Sequence, residues 1–262
     1  MRTLKLMIAY DGTRYAGWQI QRSRCATYGT SARKSVGQAT VQGALERAFE
    51  RIVQEAVPVV GSGRTDTGVH ALAQVCHLRT RSTMSCGRLL RAVNHLLPPD
   101  IAVMRIEEAA PTFHARFDVR SKRYRYRLFL GPVVPPFIRP YVHQVRAHLN
   151  VPLMRREAAS LVGERDFRAF ARRRPDAKTR RRVSEVKFER RGEELLFDIV
   201  GGGFLHRMVR SIVGTLIDIG RGRLPPGTIR RILVRGDRRL AGTTAPAHGL
   251  VLVSVDYHCH EN

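Results

Sequence analysis

The chain has 262 residues, is 43% hydrophobic, and sets 46 Lys and Arg against 22 Asp and Glu, a net charge of +24. That length admits one large domain or two ordinary ones, and the apolar share argues against disorder as the default state. Only five of the 46 cations are Lys, and Arg forks onto phosphate and stacks on bases, so the charge points to nucleic acid before a membrane surface. Residues 3–9, "TLKLMIA", alternate apolar and polar, which predicts a strand. A glycine-punctuated loop follows at 10–21 and carries the single Trp. Residues 22–39 are polar, basic and irregular. Thr40 then reads as the N-cap of a helix that buries Val41, Leu45, Ala48, Phe49 and Ile52. "VPVVG" at 57–61 and "AQVCHLRT" at 73–80 read as strands. Ser85 is placed to cap a second helix with Leu89, Leu90, Val93, Leu96 and Leu97 inward, stopped by Pro98 and Pro99. "IAVMRI" at 101–106 is the next strand.

Strand, helix, strand, strand, helix, strand is the order of a ferredoxin-like unit. The rest of the chain gives a looser echo: a strand at 122–129, a helix at 151–163, a hairpin turning at Arg191–Glu193, a helix at 206–220, a short helix from Pro226, and a last strand at 249–257. The expectation is an α+β fold of two ferredoxin-like halves, residues 1–110 and 111–262. Their sheets lie side by side, flanked by helices, with a basic RNA-binding cleft across the middle.

No stretch approaches the roughly 20 apolar residues that a membrane helix requires. The opening "MRTLKLMIAYDG" is too short and too alternating for an export signal. Cys25, Cys76, Cys86 and Cys259 show no C-x-x-C spacing, so reduced thiols in a cytoplasmic protein are expected. "HCHE" at 258–261 is too short to close a tetrahedral site, and no metal is expected.

Two basic stretches stand out. "RRRPDAKTRRR" (172–182) has seven cations and one Asp, and reads as a phosphate contact or a solvated loop. "RFDVRSKRYRYR" (116–127) interleaves Arg with Tyr. On a strand, Tyr124, Tyr126 and Leu128 share one face and Arg123, Arg125 and Arg127 the other. The tyrosines serve equally as a base-stacking platform or as core.

"GSGRTDTGVHA" (61–71) places the carboxylate of Asp66 two residues after Arg64 among three glycines. An ionised Asp can act as a base or nucleophile, and the glycines let a backbone approach a sugar or base. The same residues also suit an ordinary turn. Arg210 is out of place in an otherwise apolar helix: it is either a surface arginine on the helix flank or a buried charge that needs a partner, for which Asp66 is a candidate.

Read together and in order, "YDGTRYAGWQ", "TVQGALERA", "GSGRTDTGVHALAQVCH", "FHARFDVRSKRYRYR", "GERDFRAF", "GGGFLHRMVRSIVGTL" and "AGTTAPAHGLVLVSVDY" closely resemble the TruA family of tRNA pseudouridine synthases. The resemblance runs from about residue 4 to residue 257. It implies an isomerase that detaches uracil from its ribose, turns it, and rejoins it through carbon 5, with no metal, nucleotide or redox cofactor. It also implies a homodimer acting on uridines 38, 39 and 40 of the tRNA anticodon stem-loop. Carried over by motif, the nucleophile falls at Asp66 and the arginine that helps extrude the base at Arg64. The tyrosine packed on the target uracil falls at Tyr124, and the basic partner of the nucleophile at Arg210. Base extrusion costs a few kcal/mol, which contacts around the flipped base must offset. The chain departs from the family pattern at Thr67, where Ala is usual, and in the longer 22–39 segment. His70 and His206 also lie in the motifs, His70 with a structural role expected. The alternatives are a synthase of the same chemistry acting on another RNA, and a non-catalytic RNA-binding protein on the same scaffold.

Overall fold

The computed structural model describes residues 1–20, 39–171 and 178–258. The long 22–39 segment up to residue 38, residues 172–177 of the basic run, Cys25 and Cys259 lie outside the described residues, as does most of the "HCHE" tail.

Strand β1 (Arg2–Tyr10) buries Leu4, Leu6 and Ile8, as its alternation predicts. Helix α1 (Val41–Val53) starts where Thr40 Oγ1 accepts from the Gly43 N–H at 3.2 Å. Its buried face includes Val41, Leu45, Ala48 and Phe49. The predicted strand at 57–61 shrinks to β2 (Val60–Gly61). Val57 and Val59 are still buried, so side-chain burial produced the strand-like pattern without a ladder. Strand β3 (His70–Thr80) begins earlier than its alternation suggests. Helix α2 (Cys86–Leu96) follows, but Ser85 makes no capping hydrogen bond, and only Leu89 and Val93 of the helix are fully buried. Strand β4 (Ile101–Ala109) completes this part of the chain.

Strand β5 (Val119–Phe129) carries the Arg/Tyr alternation, with its tyrosine face turned inward. Tyr124, Tyr126 and Leu128 belong to the core, and the Tyr126 hydroxyl donates to the Pro246 carbonyl at 2.8 Å. On the other face, Arg125 grips Asp198 at 2.7 and 2.8 Å and Arg127 grips Glu194 at 2.8 and 2.9 Å. Arg123 reaches Glu185 at 3.1 Å. These arginines form a neutralised cross-strand ladder, not an open stacking platform.

Strand β6 (His143–Gln144) runs parallel to β5. Helix α3 (Val151–Ala159) stops short of the expected 163, and Gly163, at a positive φ of 102°, opens strand β7 (Gly163–Asp166), which the sequence reading missed. β8 (Arg180–Arg191) and β9 (Glu194–Gly201) form the expected hairpin. Helix α4 (Met208–Gly220) is buried nearly all round and begins two residues later than expected, after Arg207 in the left-handed region. Helix α5 (Thr228–Arg235) and strand β10 (Leu250–Tyr257) complete the described chain.

The strands form one ten-stranded sheet in the order β4-β1-β3-β10-β5-β9-β8-β7, with β2 on β3 and β6 on β5. The last strand joins the early ones to the late ones. β10 pairs antiparallel with β5 and, through Val251 and Leu252, parallel with His70 and Ala71 of β3. His70 opens β3, so this seam lies beside the loop that carries Asp66.

Candidate active site

The loop between β2 and β3 is fixed from two sides. Gly17, at φ 92°, lies so close that a Cβ there would sit 2.5 Å from the Thr65 carbonyl oxygen. Only glycine permits that approach. The Trp18 N–H donates to that carbonyl at 3.2 Å, the Val69 N–H to the Asp66 carbonyl at 3.1 Å, and Tyr10 Oη shares a 2.8 Å hydrogen bond with Thr65 Oγ1. At the loop's base, the Ser62 hydroxyl donates to Gln74 Oε1 at 2.6 Å, and Lys122 Nζ donates to the Ser62 carbonyl at 2.6 Å. Burial pushes Lys122 down to about 8, with Arg116 acting in the same direction. A backbone held this firmly presents its side chains without further ordering cost.

From the other side comes α4. Arg210 Nη1 donates to Asp66 Oδ2 at 3.0 Å, and Arg210 Nε donates to the Ala245 carbonyl at 2.8 Å. The Ala245 N–H in turn donates to the Arg210 carbonyl at 3.0 Å. This clamp needs the 243–245 segment against the helix, and Gly214 allows it: a Cβ there would overlap the Thr243 carbonyl oxygen at 1.7 Å. His206 Nε2 lies 3.4 Å from the other carboxylate oxygen, Oδ1. The Asp66 and Arg210 side chains are 16% and 14% exposed. The carboxylate is thus half-withdrawn, held in one orientation, and still open to a ligand.

Tyr124 lies on β5, paired across the sheet with Leu252 of β10 and Ile199 of β9. Its ring is 8% exposed and meets Phe204 edge-on at 5.2 Å. Burial raises its phenol well above the usual range, and the neighbouring Tyr10 and Asp66 act in the same direction. The structure therefore gathers Asp66, Arg210 and Tyr124 from three elements. Arg64 is exposed in the same loop, as is Thr67. His70 is buried at the seam, where its Nδ1 accepts from the Gly12 N–H at 3.1 Å and its ring meets Tyr141 edge-on at 5.1 Å.

Sequence reasoning missed three contributors: Phe204 against Tyr124, the Ala245 carbonyl, and the contact of His206 with Asp66. All three lie within motifs quoted above. A backbone carbonyl and an edge-on ring leave no signature in residue type, so nothing marked the first two; His206 was named within its motif but given no partner. Among the described residues, no group of three His, Cys, Asp or Glu is placed to hold a metal ion, and no helix is long and apolar enough to cross a membrane.

The sequence profile of a family described as tRNA pseudouridine synthase matches residues 6–118 and 158–258. A protein of Pelobacter propionicus named tRNA pseudouridine synthase A is 42% identical over 98% of this chain and 100% of its own. One of Exiguobacterium sp. with the same name is 40% identical over 98% of both chains. A solved structure titled "Crystal Structure of a Cbf5-Nop10-Gar1 Complex" superposes at a TM-score of 0.33 and 14% identity, over 79% of this chain and 43% of that one, too low to carry an argument. On the profile and the full-length relatives, the chain belongs to the tRNA pseudouridine synthase family, in its TruA branch of isomerases.

Proposed function

We propose that this isomerase acts on uridines 38, 39 and 40 of the tRNA anticodon stem-loop, with Asp66 as its nucleophile. The observation that carries the reading is the Asp66 carboxylate itself, oriented by Arg210 at 3.0 Å and close enough to Tyr124 for its charge to act on the phenol. In the net reaction the glycosidic bond at C1′ leaves N1 and forms at C5, while C5 gives up a proton and N1 gains one. A fixed, ionised carboxylate supplies the nucleophile for the bond exchange. Tyr124 offers a ring for the extruded uracil, and the exposed Arg64 is placed to fill the gap left in the stem. Arg210 keeps the carboxylate aimed.

The same reading takes the fold as two ferredoxin-like halves, 1–110 and 111–262, with the substrate in a basic cleft across the seam. Its support is the strand order. β4-β1-β3 with β2 on β3 matches β10-β5-β9-β8; α1 and α2 are interleaved with the first set, and α3, α4 and α5 with the second. Three neighbouring targets favour recognition by shape and phosphates over base edges, which suits a charge of +24. The chain works in the cytoplasm as a homodimer in this reading; Phe137 and Val133, exposed on the 130–138 loop, offer apolar surface for a second copy.

The test uses wild type and Asp66→Asn on a tRNA transcript with uridines at 38–40. Pseudouridine is mapped by carbodiimide labelling and primer extension. Stops at those positions with wild type alone support the reading. Modification elsewhere moves the target to another site or RNA, and tight binding with no modification leaves an RNA-binding protein.

A further inference from the structure

A cavity of about 680 Å³ lies outside the site around Asp66, and its wall is largely arginine: Arg168, Arg207, Arg235, Arg238 and Arg239. Its volume falls in the roughly 300–1,000 Å³ range of small-ligand sites and exceeds what a lone phosphate needs. Two of the guanidiniums are already neutralised, Arg168 by Asp166 and Arg239 by Asp237 at 2.8 Å. Among the described residues, Arg207, Arg235 and Arg238 form no ion pair within 4 Å, although the Asp237 carboxylate also lines the wall and feels the charge of Arg235. Arg238 donates to Thr244 Oγ1 at 3.1 Å, which fixes it at the cavity wall. Concentrating unneutralised cations around one concavity is unfavourable unless an anion enters it.

The backbone gives an independent sign. Arg207 has φ 62°, one of only two non-glycine residues with positive φ among those described. The left-handed region is unfavourable for a non-glycine residue, and such residues gather at ligand clamps. Here the conformation divides two neighbours: His206 contacts Asp66, while Arg207 lines the cavity. A second link runs alongside it. Ser211 Oγ and Thr244 Oγ1, 3.3 Å apart, both belong to the cavity wall. The residues next to them, Arg210 and Ala245, hold the carboxylate pair. The cavity and the reacting centre are thus one residue apart along two separate segments.

We infer that this cavity seats the phosphate and ribose of an RNA nucleotide flanking the target uridine. Arg207 and Arg238 contact the phosphate, and the α4 N-terminal turn relays the register of the strand to Asp66. This inference rests on the reading of the protein as a tRNA-acting synthase. It adds a site where the strand is held while the neighbouring base leaves the stack, so that binding energy from an unreacting nucleotide positions the reacting one.

The test measures tRNA-transcript affinity against salt for the full-length protein, as wild type, Arg207→Gly, Arg238→Ala, the double variant, and Arg88→Ala, an exposed arginine on α2. Glycine adopts φ 62° without strain, so Arg207→Gly keeps or raises the thermal midpoint and a loss of binding cannot be blamed on misfolding. Each phosphate contact removed flattens the log–log salt slope by about one unit. The two arginines share one phosphate, so the expected result is a slope shallower by about one in the double variant, with affinity about tenfold weaker or more, and little change in Arg88→Ala. Equal losses in Arg88→Ala and the double variant overturn the inference in favour of general electrostatics. Unchanged RNA binding overturns it too, including the case where the variants lose only stabilisation by inorganic phosphate, which marks a free-anion site. Pseudouridine mapping of the wild type on the same transcript separates the two readings. Binding without modification defeats the proposed function, while the salt slopes still decide the cavity.

Discussion

Arg210 reaches across 144 residues of sequence to hold Asp66 by a single 3.0 Å hydrogen bond from Nη1, while its Nε is committed to the Ala245 carbonyl at 2.8 Å. One guanidinium therefore ties three segments together: the loop after β2, helix α4, and the stretch before β10. Removing it acts on a carboxylate and on a backbone clamp at once.

Arg210→Lys and Arg210→Ala separate these effects. Lysine has no planar fork and cannot serve both acceptors in the same geometry. Arg210→Ala is expected to lower the single-turnover rate by about a hundredfold or more through loss of positioning. Arg210→Lys is expected to recover part of that loss. Rapid-quench measurement of pseudouridine formation at saturating tRNA checks this; an unchanged rate in Arg210→Ala removes Arg210 from the site.

Tyr124→Phe keeps the ring and its edge-on contact with Phe204. Stability is expected to stay within about 1 kcal/mol of wild type and RNA affinity within about threefold, because ring area is conserved. Tyr124→Ala opens a cavity in the core and is expected to cost about 3–5 kcal/mol. Urea denaturation of both variants, with filter binding for the first, checks the pair.

Gly214→Ala tests the clamp from a distance. Its Cβ would collide with the Thr243 carbonyl oxygen at 1.7 Å, which is backbone and cannot swing aside. The 243–245 segment must move off α4, taking the Ala245 carbonyl from Arg210. Overpacking of this kind costs about 1–3 kcal/mol. The expected phenotype is that loss of stability with a reduced kcat and a nearly unchanged KM for tRNA, read by thermal melting and steady-state kinetics.

Acid should unfold the protein partly through His77. Its Nδ1 accepts from the Ala115 N–H at 3.1 Å, which requires the neutral ring. Burial pushes its pKa down to about 4, with His114 and Arg79 acting the same way. Between about pH 6.5 and 4 the unfolded chain therefore binds the proton that the folded one refuses, and stability falls as pH falls through that window. His143, lowered to about 4 by burial and by His248, adds to the same trend. In His77→Gln the drop in melting temperature from pH 6.5 to 4 is expected to be smaller than in wild type, as scanning calorimetry would show.

The sequence by itself determined the elements whose residues bury one face: β1 through Leu4, Leu6 and Ile8, α1 through its Thr40 cap and apolar stripe, and the β8–β9 hairpin. Their periodicity is local, so it survives without knowledge of the partner. It also carried the motifs that placed Asp66, Arg64, Tyr124 and Arg210 in one family pattern. Tertiary structure alone decided what lies far apart in the chain. It made β10 the strand that joins β3 to β5, and it put Tyr124 in the core with Arg123, Arg125 and Arg127 in a ladder of carboxylates. It also turned Val57 and Val59 into buried extended chain without a ladder, and it delivered the Ala245 carbonyl and His206 to the carboxylate pair. Long-range pairing depends on which surfaces meet, and a window of sequence cannot encode that. Backbone oxygens, which every residue carries, leave no mark in it at all.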